Sequence, residues 1–519
     1  MEPLCGGIDI GTSNSVIATY QKDGADCVIT NQGKRIFPSL YATNTNGESY
    51  IGDPATAYIY SPAYFGVQYA KRVIGYKFNS ERVSANPDLC IAKMRESKDG
   101  KVEFYKDGWN VTETPVSIYV KLLNCMLERT VEYRGRKLDK VVVTIPADFK
   151  QEQIADTEEA IRQVGFTEEN YCLLKEPIAA AISYGFEDLL DGYTLVYDLG
   201  GGTFDCTIMQ IRDNNLIILA YGGDEKIGGL AFDISIRKWV MEQVKEKTNM
   251  DICYPKSRSY ARRMHKLLKN CRDAKEAMVS ISSYDIDLYD IADEDVSDTM
   301  EMILLTRATM DHLLEPYITR TIEVVDNTIK KANIRKEDIS RILMVGGSSR
   351  LLCAQKALTK HFGSKEILKY NVNPDEVVGL GAATFCHIWS QSKDKLSMTV
   401  NGRQINLIEV LTLTLGFKGR DGRMVALAKN GDPVPQKSLR KLLTTPVDNA
   451  ECMRIEFYQG EKERAEENVR LRCFEWSNFP LLPKGQAKFV LSLYYVNSLW
   501  ECEIRDFYTK QVYVERQRI

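Results

Sequence analysis

Two stretches of this 519-residue chain repeat one unusual design, and that repetition limits the possible folds more than any other feature of the sequence. The first is Gly6-Gly7-Ile8-Asp9-Ile10-Gly11-Thr12-Ser13-Asn14-Ser15-Val16-Ile17-Ala18. The second is Leu195-Val196-Tyr197-Asp198-Leu199-Gly200-Gly201-Gly202-Thr203-Phe204-Asp205-Cys206-Thr207-Ile208. Each has a short apolar strand ending in aspartate, a glycine-bearing turn with threonine, and a second β-prone run, which together signal a hairpin. Asp198 follows Asp9 by 189 positions, so two related lobes are expected, each opened by the same hairpin.

The intervening sequence reads as alternating strands and helices. Lys140 to Ile145 is an apolar strand stopped by Pro146. A helical stretch follows over Lys150 to Val164, with Gly165 as its stop. Another helix starts at Pro177, a residue favoured at the first helical position, and runs through Ala179-Ala180-Ala181. Ile227-Gly228-Gly229 precedes a helix over about Phe232 to Lys247, a further helix spans Tyr260 to Val279, and Arg341 to Val345 enters Gly346-Gly347-Ser348-Ser349-Arg350. This alternation predicts an α/β domain over 1–388. Ser390 to Gln404 is polar and linker-like, apolar Ile405-Asn406-Leu407-Ile408-Glu409-Val410 follows, and 389–409 reads as an interdomain linker. Residues 410–519 read as a small all-β module: Met453, Ile455 and Phe457 alternate with Arg454, Glu456 and Tyr458, and Lys488 to Tyr495 repeats the habit.

A chain of this length exceeds one hydrophobic core. Its net charge of −3 gives no electrostatic case for nucleic acid or anionic membrane as a partner. Thirteen cysteines with no C-x-x-C pair and no metal-ligand spacing read as free buried thiols of a reducing compartment. The Gly-Ile-Asp run within the first nine residues leaves no room for a signal peptide, and no run of eighteen apolar residues occurs. A cytoplasmic location is expected.

Glycine turns directly after strands let backbone N–H groups approach phosphates with no Cβ in the way. Three such turns occur, at 11–14, 200–203 and 346–348, with Thr12 and Thr203 adding hydroxyls. One alone is an ordinary turn. Two of the three follow a strand-end aspartate, and Asp9 and Asp198 would repel each other in a shared cleft unless a cation sat between them. That points to Mg²⁺ held through water and phosphate oxygens. Glu176, just before Pro177, is no favoured helix cap and is a candidate cleft residue. Lys71 on spacing alone would be a solvated lysine.

These three glycine segments closely resemble the signatures of the DnaK-type heat-shock protein 70 family, in family order and spacing. Val143-Thr144-Ile145-Pro146-Ala147, Glu176-Pro177 and Asn373-Pro374-Asp375-Glu376 match as well, and Tyr458-Gln459-Gly460-Glu461 resembles the family's peptide-binding sandwich. The resemblance implies an actin-like two-lobed ATPase domain of duplicated ribonuclease H-like lobes, followed by a small all-β sandwich. It implies slow ATP hydrolysis, with Lys71 orienting the attacking water and Thr203 at the γ-phosphate. Glu176, Asp198, Asp9 and Asp205 would surround Mg²⁺, mostly through water, with K⁺ as an accompanying ion. ATP or ADP would lie on Gly11, Thr12, Ser13, Asn14, Gly200, Gly201, Gly202, Thr203, Gly228, Gly229, Arg272, Lys275, Glu276, Gly346, Gly347, Ser348, Arg350 and Asp375. Implied partners are unfolded or extended polypeptide, a J-domain protein and a nucleotide exchange factor.

The sequence departs from the family pattern in four places. Arg272, Lys275, Glu276 and Val279 share one helix face, where the family carries Glu, Lys, Arg and Ser. Arg272 and Glu276 have exchanged signs and can still pair, but a carboxylate cannot stack on adenine as a guanidinium does. The family's relay arginine is Ile154, and its J-domain-docking arginine falls at Cys172, so weakened coupling between nucleotide and peptide is expected. The peptide pocket would be Phe417, Leu443, Met453 and Ile455, arched over by Arg420 and Pro446. The chain stops where the family's helical lid would begin, so bound peptide should leave quickly. An ATP-dependent chaperone is the leading expectation. The alternative is a nucleotide-binding scaffold with little interdomain communication.

Overall fold

The computed structural model describes all residues except 1, 23, 85–89, 186–191, 213–214, 255–258, 298–299, 392–396, 401–402, 409–410, 412, 420, 431, 433–437 and 497–498. Two sheets carry the design that the repeated hairpins foretell. In the first, Cys5–Asp9 pairs antiparallel with Asn14–Gln21, which pairs antiparallel with Gly24–Cys27. On its other side Cys5–Asp9 runs parallel to Lys140–Ile145, and that strand runs parallel to Tyr171–Lys175. The second sheet repeats the order. Gly192–Leu199, Phe204–Arg212 and Asn215–Asp224 form the antiparallel meander, with Ile339–Val345 and Leu368–Lys369 added in parallel. Registers match as well: Asp9 faces Val16, and Asp198 faces Asp205, so each aspartate stands where its hairpin turns. This is a duplicated, actin-like two-lobed architecture.

Two helices join the lobes. Glu176–Ser183 and Val377–Gln391 bury small residues, Ala179 to Ala181 on one and Gly381 to Ala383 on the other. A Cβ on Gly381 would lie 1.7 Å from Ala179 O, so only glycine permits this crossing. The apolar cluster here draws Val142 and Leu174 from the first sheet and Val196 and Leu343 from the second, so the lobes share a core.

The helix boundaries follow the sequence closely. Gln151–Gln163, Gly229–Thr248 and Tyr260–Ala277 are the observed spans, and Gly165, at φ +98°, ends the first by entering the left-handed region. The span 389–409 corrects the sequence reading. Instead of an open linker, the helix runs on to Gln391, and Ser397–Val400 and Arg403–Ile408 form a hairpin. Arg403–Ile408 runs parallel to Asn215–Asp224, extending the second sheet, and Leu407 is buried in the shared core. The apolar run from Ile405 to Ile408 pairs here because the outer edge of Asn215–Asp224 offers unpaired backbone groups, a partner that local composition cannot reveal.

Beyond this lie two packed four-stranded antiparallel sheets. One contains Met424–Ala428, Leu415–Lys418, Cys452–Gln459 and Val469–Ser477; the other contains Leu439–Thr444, Lys488–Val496, Leu499–Asp506 and Val512–Arg518. Edge-to-face aromatics, among them Phe479 and Trp476 against Phe489 at 4.9 and 5.5 Å, fill the space between them. The sandwich rests on the first lobe. Leu499 joins that lobe's core, the Trp500 N–H donates to Gln151 Oε1 at 3.2 Å, and Arg518 pairs with the fully buried Glu158. Among the described residues no helix is long and apolar enough to cross a membrane.

Candidate nucleotide site

The two repeated hairpins meet face to face. A Cβ on Gly201 would lie 2.5 Å from Ser13 Oγ, and one on Gly202 would lie 2.5 Å from Thr12 Cγ2. Glycine is therefore required by contact across the cleft, beyond any turn preference. Between the lobes lies a cavity of about 460 Å³, within the range of small-molecule sites. Its walls include the three glycine turns, Lys71, Glu176, Asp9, Asp198, Asp205, Gly229, Arg350 and Asp375. Of the sequence-derived nucleotide and metal positions, only Gly228 stands back from it. A Cβ there would meet Gly202 C at 2.7 Å and Thr203 N at 2.8 Å, so Gly228 supports the second turn from behind.

At the floor, Lys71 Nζ donates to Glu176 Oε1 at 2.7 Å. Lys71 reaches there because Tyr69 takes a left-handed conformation, φ +68°, just before the short turn Ala70–Arg72. Glu176 is the first residue of its helix, one position earlier than the proline suggested, with its side chain in the cavity. Thr144 Oγ1 donates to Asp9 Oδ1 at 3.0 Å, and Thr203 Oγ1 donates to Asp205 Oδ2 at 3.0 Å.

Acidity here is set by burial and crowding. Burial pulls the Lys71 ammonium down, and the Glu176 and Asp9 carboxylates more than reverse it, so Lys71 stays charged. Burial raises Glu176 to about 6, with Lys71 opposing and Asp9 reinforcing the shift. Burial, then Glu176, Asp205 and Asp9, holds Asp198 well above the ordinary carboxylate range. Burial and the charges of Asp148 and Glu176 raise Asp205 to about 8. So many destabilised carboxylates in one cleft fit a divalent cation, which would favour their ionised forms. Among the described residues no three ligating groups converge closely enough to hold a metal directly. A hydrated Mg²⁺, which keeps several waters, suits that spacing.

A stability prediction follows for protein with no metal added. Folding holds Glu176 and Asp205 above the ordinary carboxyl value of about 4, so the folded form binds protons that the unfolded chain releases. Their contribution is complete below about pH 4 and is lost as pH climbs through about 6 for Glu176 and about 8 for Asp205. The thermal midpoint of wild type relative to Glu176→Gln should fall as pH climbs from about 4 through about 6; a difference that is flat with pH contradicts the buried cluster.

The base end departs from the sequence expectation. Arg272, Lys275, Glu276 and Val279 do line the cavity together. Arg272, however, does not turn to Glu276: its Nε donates to Asp233 Oδ2 at 3.1 Å and its Nη2 to the Tyr69 hydroxyl at 3.4 Å. Lys275 Nζ also reaches Asp233, at 2.7 Å, and donates to Gly229 O at 3.1 Å. The fully buried Asp233 therefore anchors both cations, a role that sequence reading missed. No local pattern links position 233 to 272; only the packing of Gly229–Thr248 against Tyr260–Ala277 brings them together. Arg350 is held by Asp375 Oδ2 at 3.1 Å on the opposite wall.

With this geometry in view, the comparison with known proteins is decisive. The family described as Hsp70 protein matches residues 5–495. The chain belongs to the heat-shock protein 70 family. It is 31% identical over 482 residues to the chaperone protein dnaK of Cyanidium caldarium, covering 92% of this chain and 74% of that protein. Ile154, where the resemblance places the family's relay arginine, is buried in the core of the first lobe. The same helix meets the sandwich through Gln151 and Glu158 instead. Cys172 is likewise buried, its Sγ 3.3 Å from Leu173 O.

In the sandwich, the expected peptide residues divide. Ile455 is buried in the core between the sheets. Phe417, Leu443 and Met453 are half-buried around that core, Pro446 is half-buried beyond the strand Leu439–Thr444, and Arg420 lies outside the described residues.

Proposed function

We propose that this heat-shock protein 70 relative binds and slowly hydrolyses ATP with Mg²⁺, and that its β-sandwich binds extended apolar polypeptide. The observation that carries the reading is the Lys71–Glu176 pair, set in one cavity with three aspartates and two opposed glycine hairpins. Backbone N–H groups of the turns at 11–14 and 200–203 grip the phosphates from opposite lobes. The Thr203 hydroxyl, positioned by Asp205, stands at the terminal phosphate. Lys71 orients the attacking water and presents its charge to the transferring group, while Glu176 fixes the ammonium's direction. Asp9, Asp198, Glu176 and Asp205 would hold the water shell of a bound Mg²⁺, whose charge would offset that of the phosphates. Chemistry of this kind rests on position and charge and needs no covalent nucleophile.

Adenine would lie against Arg350 on one side. The other side offers Glu276 where the family stacks an arginine, and Arg272 is committed to Asp233, which supports weak selection for the base. Communication between nucleotide and peptide would run through Gln151 and Glu158 on the helix Gln151–Gln163, the contacts that stand in for the absent relay arginine. A J-domain protein and a nucleotide exchange factor are the partners such a cycle calls for, with the J-domain contact made elsewhere than Cys172.

Fluorescence anisotropy with a labelled leucine-rich peptide tests the sandwich. Binding is expected, with faster exchange when ATP is present. No binding at high micromolar protein would retire the peptide claim while leaving the ATPase claim standing.

A further inference from the structure

The strand that ends in Asp9 begins with a cysteine unused by any of this chemistry. The helix Val377–Gln391 lies directly on that strand. A Cβ on Gly7 would sit 2.1 Å from Ala383 N and 2.6 Å from Gly379 O, so the two backbones touch. Cys5 lies two residues back along the same strand face, and Cys386 lies about one helical turn beyond Ala383. This geometry brings the two thiols together. The Gly6 N–H donates to the Cys386 sulfur, and the Cys386 thiol donates to the Cys5 sulfur. Both residues are fully buried, and the Cys5 thiol donates to the carbonyl of the exposed Pro3 at 3.7 Å. Cys172 belongs to the same cluster, and all thirteen cysteines are free thiols.

We propose that Cys5 and Cys386 are a redox modification site, forming a reversible disulfide with peroxide that fastens the first strand to the helix Val377–Gln391. The two sulfurs are chemically unequal. The Cys386 hydrogen bond outweighs burial and, with Ser390 and Lys140, lowers Cys5 to about 7. Burial and the Cys5 hydrogen bond push Cys386 well above the ordinary thiol range. One sulfur is thus the nucleophile and the other a protonated resolving thiol. The Cys5 thiolate attacks one peroxide oxygen, the O–O bond breaks, and the departing hydroxide takes a proton to leave as water. Cys386 then attacks the resulting sulfenic sulfur, losing its proton to the hydroxyl that leaves as a second water. The S–S bond forms, and peroxide has taken up the two electrons.

The test is peptide mapping of the full-length monomer after dilute hydrogen peroxide treatment and alkylation. A peptide linking Cys5 to Cys386 is expected as the dominant intramolecular product, and thiol reductant should reverse it. In Cys386→Ala, Cys5 should instead be trapped as sulfenic acid by dimedone, while Cys172→Ala should still give the link. Absence of the linked peptide from native protein, a Cys5–Cys172 link in its place, or formation only after unfolding in urea would each overturn the proposal.

Discussion

Lys71→Ala should cut single-turnover ATP hydrolysis by at least about 100-fold, the scale seen when one preorganised charge or donor is removed from a transition state. Nucleotide affinity should change far less, because in the proposed site the glycine turns of both lobes would grip the phosphates. The side chain is held at 2.7 Å by Glu176 and lies against the same cavity as Asp9 and Asp198, so its loss removes the positive charge beside those carboxylates. The substitution also leaves Glu176 without its cation in a buried setting, which costs stability. Lys71→Met, which keeps the packing, separates the two effects: a fold defect would improve with methionine, whereas a lost charge would not. Undetectable turnover in wild type as well as in the variants would favour the scaffold reading, in which bound nucleotide only fixes the lobes' orientation.

Gly202→Val is expected to weaken ATP binding by at least about 100-fold, equivalent to about 2.7 kcal/mol. Its Cβ would lie 2.5 Å from Thr12 Cγ2 and 3.0 Å from Thr12 Cβ, so valine must drive the hairpins apart. The contact is between lobes, so each lobe's own core is untouched and the variant should keep its helix and strand content. Isothermal titration with MgATP reads the effect. Affinity within about threefold of wild type would mean that the hairpins tolerate separation, and the close approach would then carry no functional weight.

The extent to which the site was legible in the sequence follows from the range of the interactions. Asp9, Asp198 and the glycine turns were readable because strand, aspartate and turn are contiguous and occur twice. Lys71 gave no local signal and was placed through family resemblance alone. Asp233 and Tyr69 were missed because each acts on Arg272 from another element, and such contacts leave no spacing rule. The hairpin at 397–408 was missed for a related reason: its partner strand, Asn215–Asp224, is remote in sequence, and no local spacing shows that pairing. Sandwich docking through Gln151, Glu158 and Arg518 lay beyond local reading too, since it joins a mid-chain helix to the last strand.

A crystal structure with ADP and Mg²⁺ bound examines the main claim most directly. It should show phosphates on the turns at 11–14 and 200–203, with the hydrated metal lying between Asp9 and Asp198. Nucleotide bound elsewhere, or these two aspartates facing no common metal, would contradict it.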